Sequence, residues 1–250
     1  MVCDKVRIRF QKSGNLRLVS HHDLMRCFER MLRRSALPVH STQGFHPKPR
    51  LVFALSLPLG VIGREEIVEL ELDELLPLDE IRDRLVRQAP DGLVIDAIER
   101  IPPKTTAHVQ AIQYRVELAP DCADGLPARI STILASEQCP VERTRPEPRV
   151  VDLRPFLRDL RVLPNALEFD LWVTPKGTAR PEEVLSLLGL DDLTAGGAIV
   201  ERTRLQLRDE SFNVPASRAC QHSDEEHDGG LESRCSPVDK STKEPVQGIP

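Results

Sequence analysis

Aromatic residues make up only 4% of this 250-residue chain, with seven Phe, one Tyr and one Trp. Surfaces built from several stacked rings are therefore not expected. No apolar run approaches the roughly 20 residues that a membrane-spanning helix needs, so we predict no membrane partner. The charged start, MVCDKVRIRF, leads directly into a strand pattern. We therefore expect no signal peptide and a cytoplasmic protein.

Closely spaced cysteines are also missing. The six cysteines are Cys3, Cys27, Cys122, Cys139, Cys220 and Cys235. Their spacing excludes a CxxC zinc knuckle and the CxxxCxxC loop that binds an iron–sulfur cluster, so we expect free thiols, no metal site and no cofactor. Gly44, Gly60 and Gly63 fit neither of the phosphate-binding glycine patterns. No Ser-His-Asp or Cys-His arrangement can be assigned either.

Charge is distributed unevenly along the chain. The formal net charge is −5, yet residues 1–60 carry 11 Lys and Arg against 3 Asp and Glu, a net charge of +8. Residues 61–120 carry 7 and 13, a net charge of −6. A basic N-terminal quarter in an acidic protein indicates a local site for anions.

The clearest helix is predicted from Ser20 to about Ala36. Ser20 is a favourable N-cap, and Asp23 follows three residues later as in a capping box. One face carries a buried apolar stripe at the i, i+3, i+4, i+7, i+8 spacing, made of Leu24, Cys27, Phe28, Met31 and Leu32. The opposite face carries what we call the basic ridge, made of His22, Arg26, Arg30 and Arg33.

Alternating apolar residues predict strands at 6–10 and 67–72. In the strand at 6–10, the face opposite the apolar residues carries Arg7 and Arg9. In the strand at 67–72, the corresponding face carries Glu69 and Glu71. We expect these faces to meet solvent, one basic and one acidic.

The predicted elements follow a pattern that repeats. Strands at 6–10, 51–57, 67–72 and 93–101 and helices at 20–36 and 78–89 give the order of a ferredoxin-like split βαβ unit. After Pro102 and Pro103, strands at 111–118, 166–173 and 198–207 and helices at 126–136 and 181–188 indicate a second, looser unit. We therefore predict an α+β fold of two tandem ferredoxin-like (split βαβ) domains, at 1–102 and 103–209. Residues 210–250 have few large apolar side chains and are predicted to form a disordered tail.

The most distinctive stretch is QGFHPKPRLVFALSLPLG, at residues 43–60. It begins as a basic loop, which two prolines stiffen by fixing φ, and continues as an apolar strand. We assign a structural role to the loop residues Gln43, Gly44, Phe45, Pro47, Pro49 and Gly60.

The helix and this loop together resemble the bacterial radical-SAM-linked protein family. That family is a domain of unknown function, found alone or fused to the C-terminus of a radical SAM protein with a cobalamin-binding-like region. The resemblance is carried by Ser20, His21, Asp23, Leu24, Arg26, Glu29, Arg30, Arg33, Arg34, Pro38, Gln43, Gly44, Phe45, Pro47, Pro49, Pro58, Leu59 and Gly60. His22 and Lys48 depart from the family's commonest pattern. The resemblance implies a radical SAM protein as partner and a connection to RNA, but no established activity.

The candidate site combines the helix and the loop. We predict that RNA or another anion binds to His21, Arg26, Arg30, Arg33, His46, Lys48 and Arg50. Two other interpretations stay open: both imidazoles satisfy local hydrogen bonds, and the basic ridge is a solvated helix face. Lysine is a poor general base unless its pKa is lowered, so Lys48 weakens a catalytic interpretation.

Three functions are compatible with these residues. The first is an accessory protein that binds RNA (tRNA or rRNA) and a radical SAM partner through its basic N-terminal surface. The second is an RNA-processing or RNA-modifying enzyme with His21 and His46 in acid–base roles. The third is a purely protein-binding adaptor. Without a cluster-binding motif or a catalytic constellation, we favour a protein that is not itself an enzyme.

Overall fold

The computed structural model describes residues 4–143 and 146–208 of the chain, which form both strands and helices. The strands are β1 (Asp4–Lys12), β2 (Leu51–Phe53), β3 (Ile62–Leu72), β4 (Leu93–Arg100), β5 (Val109–Glu117), β6 (Pro140–Arg143), β7 (Arg149–Asp152), β8 (Leu157–Leu163), β9 (Ala166–Trp172) and β10 (Val200–Leu207). The α-helices are α1 (His21–Ser35), α2 (Leu78–Val86), α3 (Leu126–Ala135), α4 (Pro181–Leu187) and α5 (Asp192–Ala195). Short 3-10 turns lie at Gly14–Leu18, Pro120–Ala123 and Arg154–Phe156.

Eight of these strands form one mixed sheet, which confirms the α+β class. Seven of them follow the order β4-β1-β3-β10-β5-β9-β8, and β2 also pairs with β3. Neighbouring strands run antiparallel except β3 and β10, which pair in parallel at Ile62–Glu201 and Gly63–Arg202. β6 and β7 form a separate two-stranded sheet. The short parallel pairing joins the strands of the first half of the chain to those of the second.

Two apolar cores lie against this sheet. The first packs α1 and α2 on β1, β3 and β4, and includes Phe10, Phe28 and Ile81. The second belongs mainly to the later half, with Leu57, Val61 and Ile67 added from the first. The domain boundary near residue 102 stays a prediction, and the predicted tail at 210–250 lies outside the described residues.

Helix α1 confirms the predicted cap and stripe. The Ser20 hydroxyl accepts a hydrogen bond from the Asp23 backbone N–H at 3.2 Å and donates one to the Asp23 carboxylate at 2.7 Å. The helix ends where Ala36 takes a left-handed conformation, with φ of 52°. Its buried residues are Leu24, Phe28, Met31, Leu32 and Ser35, while Cys27 is half-buried.

The prediction that the charged residues of β1 and β3 face solvent is wrong for Arg7 and Glu69. Arg7 is 6% exposed and Glu69 is 1% exposed. The Arg7 guanidinium donates to Glu69 Oε1 at 3.3 and 3.0 Å, and Lys5 Nζ lies 2.9 Å from Glu69 Oε2. Alternation identifies side chains that share a face, but it does not show whether that face meets solvent. Part of the N-terminal positive charge is therefore neutralised inside the protein.

Strand β2 is shorter than the predicted strand at 51–57. After Phe53 the chain leaves the edge of β3, and β10 pairs with that strand at Ile62 and Gly63. The carbonyls of Leu55 and Ser56 instead accept hydrogen bonds from the Arg202 guanidinium, at 3.4 and 2.9 Å. The second half of the chain thus sets where β2 ends.

Candidate functional site

The exposed face of α1 carries a row of arginines. Arg26, Arg30, Arg33 and Arg34 are all exposed. Arg26 lies 3.2 Å from the Asp23 carboxylate, and Arg30 donates only to the backbone carbonyl of Arg26, at 3.3 Å. Across the described residues, no carboxylate forms an ion pair with Arg30, Arg33 or Arg34. These three arginines, of which Arg30 and Arg33 belong to the basic ridge, therefore present charges without counter-ions among the described residues.

A groove of about 370 Å³ runs beside these arginines. It is lined by Leu16, Val19, Asp23, Cys27, Arg30, Met31, Arg34, Gln88 and Pro90. Burial raises the pKa of the Cys27 thiol, so Cys27 stays protonated near neutral pH and is not an activated nucleophile. The groove combines apolar walls with two cations.

The loop before β2 is a hairpin held by hydrogen bonds. Arg50 N–H donates to the His40 carbonyl at 2.8 Å, and Thr42 N–H donates to the Lys48 carbonyl at 2.9 Å. The Lys48 N–H donates to the Thr42 hydroxyl at 3.1 Å, and Ser41 pairs with Pro49. We call residues 40–50 the hairpin and residues 43–47 its tip.

The tip projects into solvent. The residues from Thr42 to Lys48 are exposed, and the Phe45 side chain is 103% exposed. His46 and Lys48 form no ion pair with any acidic residue in the described part of the chain. At the base, Arg50 lies 3.4 Å from Glu71 and His40 Nδ1 lies 2.6 Å from Asp73. The carboxylates therefore lie at the base of the hairpin, and none of those described pairs with Lys48 beside the tip.

His21, the first residue of α1, faces the protein interior. Its Nδ1 atom is buried and has no hydrogen-bond partner among the described residues. Its ring meets the Phe53 ring edge-on, with centroids 5.2 Å apart. Burial lowers the pKa of His21, and the positive charges of His22, Lys12 and Arg202 add to that effect. The imidazole is therefore neutral at pH 7.

A cluster of buried charges lies near His21, made of Lys12, Glu66 and Arg202. These residues are 0%, 2% and 1% exposed. Arg202 Nε donates to Glu66 Oε1 at 2.8 Å, and Arg202 Nη2 donates to Glu66 Oε2. Lys12 Nζ donates to the Val19 carbonyl at 2.7 Å, and burial lowers the pKa of Lys12. We call this the buried ionic cluster; it contains two cations and one carboxylate.

The sheet places this cluster at the junction of the two halves. Lys12, Gly63, Arg202 and Tyr114 lie opposite one another in a row across β1, β3, β10 and β5. Gly63 makes room for the carboxylate, since a Cβ there would lie 2.4 Å from Glu66 Cγ. Burial raises the pKa of the Tyr114 hydroxyl, which bonds to Arg202.

The predicted site residues separate into two groups. The His21 ring contacts Phe53, which pairs with Val68 near the middle of β3, whereas the hairpin starts at the end of β3 where Val39 pairs with Leu72. Among the described residues, no hydrogen bond or ring contact joins His21 to His46. The C-terminal end of α1 lies at the Leu72 end too, because Asp73 N–H bonds to the Pro38 carbonyl at 2.8 Å.

Sequence patterns did not point to the buried ionic cluster. Glu66 directly follows Glu65 in an acidic stretch, and its partner Arg202 lies 136 residues away. The position of Gly63, three residues before Glu66, was the available signal. The full exposure of Phe45 was also missed, because its loop was assigned a structural role.

Several kinds of site are absent from the described residues. No group of three or more His, Cys, Asp or Glu there could hold a metal ion. The cysteines Cys27, Cys122 and Cys139 are free. No helix in that part of the chain has the length and apolar character required to cross a membrane.

Comparison with known families identifies the class of protein. The model of an uncharacterized protein family conserved in bacteria matches residues 5–181. The chain belongs to this family, DUF2344. That description names neither a reaction nor a partner, so the link to radical SAM chemistry stays a prediction.

Other comparisons add little. No curated protein matches the chain. Among solved structures, the chain is similar to the crystal structure of an unknown protein from Galdieria sulphuraria, with 15% sequence identity. The match covers 82% of this chain and 98% of that chain, with a TM-score of 0.26. A likeness at that TM-score carries no argument about fold or function.

Proposed function

We propose that the protein is an accessory protein that binds RNA, either tRNA or rRNA, through the basic face of α1 and the neighbouring hairpin. The observation that carries the proposal is the set of exposed cations without described counter-ions, namely Arg30, Arg33 and Arg34 on α1 and Lys48 on the hairpin. Contacts from Arg and Lys to phosphates supply most of the non-specific affinity for nucleic acids. The protein has a net charge of −5, so this local surface, rather than the overall charge, would attract RNA.

The spacing of the arginines on α1 suits contacts with the phosphate backbone of RNA rather than recognition of its bases. Arg26, Arg30 and Arg33 follow at i, i+4 and i+7, so they share one helix face over about 10 Å. Guanidinium groups match the geometry of phosphate oxygens. Asp23 partly neutralises Arg26, so Arg30 and Arg33 should contribute more to binding.

We further propose that each half of the chain is a ferredoxin-like unit, at residues 1–102 and 103–209. The order β4-β1-β3-β2 in the first half and the order β10-β5-β9-β8 in the second support this. When the four sheet strands of each half are numbered in chain order, both halves have the sheet order fourth, first, third, second. All neighbouring strands within each half are antiparallel. Four-stranded sheets with this kind of connectivity serve RNA binding in other proteins.

We propose a radical SAM protein as the partner. This rests on the resemblance of residues 20–60 and on the absence of a CxxxCxxC motif from the chain, which means that any cluster chemistry belongs to a second protein. Co-purification of a radical SAM protein that survives nuclease treatment would support it. Its loss after nuclease treatment would indicate that RNA alone bridges the two.

An RNA-modifying or RNA-processing enzyme is a second candidate, favoured by the neutral, unpartnered Nδ1 of His21. A neutral imidazole can accept a proton at pH 7. His46 lies at the tip of the hairpin, and no hydrogen bond or ring contact among the described residues joins it to His21. Incubation of cellular RNA with the wild type and with His21→Asn tests this candidate, which fails if both leave the RNA unchanged.

The primary test is a mobility-shift titration with total tRNA across a salt series. We expect Arg30→Glu/Arg33→Glu to weaken binding, and to reduce the slope of log K against log salt by about 1.4 to 1.8 if two phosphate contacts are lost. Arg82→Glu/Arg87→Glu, at α2 and the residue that follows it, is the matched control, because both residues are exposed and the charge change is the same. Equal weakening by both double variants, or no binding at low salt, would reject the proposal.

A further inference from the structure

We propose that Phe45 stacks on an unpaired base of the bound RNA, so that the hairpin selects single-stranded segments. The proposal rests on the RNA-binding function proposed above and gives it a substrate preference. It assigns a binding role to a residue that the sequence pattern indicated as structural.

Phe45 differs from the other aromatic residues of the protein. Its side chain is 103% exposed. The remaining described Phe, Tyr and Trp residues are buried or half-buried, namely Phe10, Phe28, Phe53, Tyr114, Phe156, Phe169 and Trp172. In a chain with 4% aromatic residues, placing one ring fully in water leaves a large apolar surface available to a ligand.

The hairpin holds this ring on a firm support. Thr42 and Lys48 are joined by two hydrogen bonds, at 2.9 and 3.1 Å, directly below the tip. Gly44 has a φ of 139°, a conformation that side chains other than glycine rarely adopt. Pro47 fixes its own φ. A preorganised support lowers the entropy lost when the ring binds.

The surroundings of Phe45 indicate the chemistry of its partner. Its neighbours Gln43, Gly44, His46 and Lys48 are all exposed, and none of them is a large apolar residue. An anchor for a protein pocket usually lies within an apolar patch, which this tip does not provide. A ring flanked by a lysine and an imidazole fits a nucleotide, because the base has a π face and the phosphate is anionic.

Cations on α1 can hold the rest of such an RNA. The C-terminal end of α1, with Arg33 and Arg34, and the base of the hairpin lie at the same end of β3. A strand bound along the basic ridge could therefore continue toward the tip. The arginines would contact phosphates in any RNA, whereas Phe45 would require a base that is free of its pairing partner.

The test compares a single-stranded RNA with a duplex of the same sequence and length, using the wild type, Phe45→Ala and Phe45→Tyr. Loss of a base–aromatic stack corresponds to about a 5- to 150-fold loss of affinity. We expect Phe45→Ala to show that loss for the single strand and little change for the duplex, while Phe45→Tyr binds like the wild type. The side chain is exposed, so these variants should unfold at the same urea concentration as the wild type.

Direct contact is measured with Phe45→Trp in a Trp172→Phe background, in which the tip carries the chain's sole tryptophan. Single-stranded RNA should quench its fluorescence, and the duplex should quench it much less. If Phe45→Ala weakens both RNAs equally or neither of them, the stacking proposal is wrong while RNA binding stands. If Phe45→Ala retains RNA binding but loses a co-purifying protein, Phe45 is a protein anchor instead. If the wild type binds neither RNA, the proposed function itself fails.

Discussion

Replacing Glu66 by Gln removes a carboxylate from between two buried cations. The wild-type carboxylate accepts two hydrogen bonds from Arg202 and also interacts electrostatically with Lys12. The amide that replaces it keeps one acceptor oxygen and turns an NH₂ group toward a guanidinium. Arg202 and Lys12 are 1% and 0% exposed, so water cannot replace the missing charge without opening the fold.

The expected loss of stability is large. Breaking a buried ion pair by removing one partner costs about 3–5 kcal/mol, which compares with about 5–15 kcal/mol for the total stability of a typical domain. We expect Glu66→Gln to cost less in a Lys12→Met background than it does alone, because only one buried cation then remains.

Urea unfolding followed by circular dichroism measures these differences, and Glu201→Gln supplies a matched control. Arg64 and Glu201 also join β3 to β10, but their side chains are 43% and 26% exposed, so losing this pair should cost about 1 kcal/mol or less. If Glu66→Gln costs no more than Glu201→Gln, the cluster does not stabilise the junction. If Glu66→Gln costs as much in the Lys12→Met background as it does alone, the role assigned to Lys12 is wrong.

Two further predictions concern the same region. Gly63→Ala should destabilise the protein by displacing Glu66, since the new Cβ would lie 2.4 Å from Glu66 Cγ. In the Gly63→Ala background, Glu66→Gln should reduce the stability much less than it does alone. A double-mutant cycle measures this difference. The lowered pKa of His21 means that the unfolded chain binds more protons than the folded one between the folded-state pKa and the ordinary value near 6.5. Stability should therefore fall as the pH drops through that window. His21→Asn should reduce the loss of stability between pH 7 and pH 5.5. If the variant keeps the wild-type pH dependence, His21 is not the source of that dependence.

Local sequence patterns predicted most of the secondary structure. The Ser20 cap and the apolar stripe depend on residues within a few turns of each other, and α1 follows both. The end of β2 could not be found in this way. It depends on β10, which lies about 150 residues later and takes the place beside β3 at Ile62.

The charged residues show the same division between local and distant effects. The basic ridge was visible because its members share a helix face by their spacing alone. The burial of Arg7 depends on Glu69, 62 residues away, and that of Glu66 depends on Arg202, 136 residues away. The pairing of strands decides which charges meet, so periodicity could not separate a solvated charge from a buried one.

The most direct test of RNA binding by the α1 face and the hairpin is ultraviolet crosslinking in native cells. The protein is purified under denaturing conditions after irradiation, and peptides that carry a nucleotide are identified by mass spectrometry. We expect crosslinks on peptides from residues 22–34 and 42–50, and their loss in Arg30→Glu/Arg33→Glu. Crosslinks confined to residues 109–207, or none at all, would contradict the proposed surface.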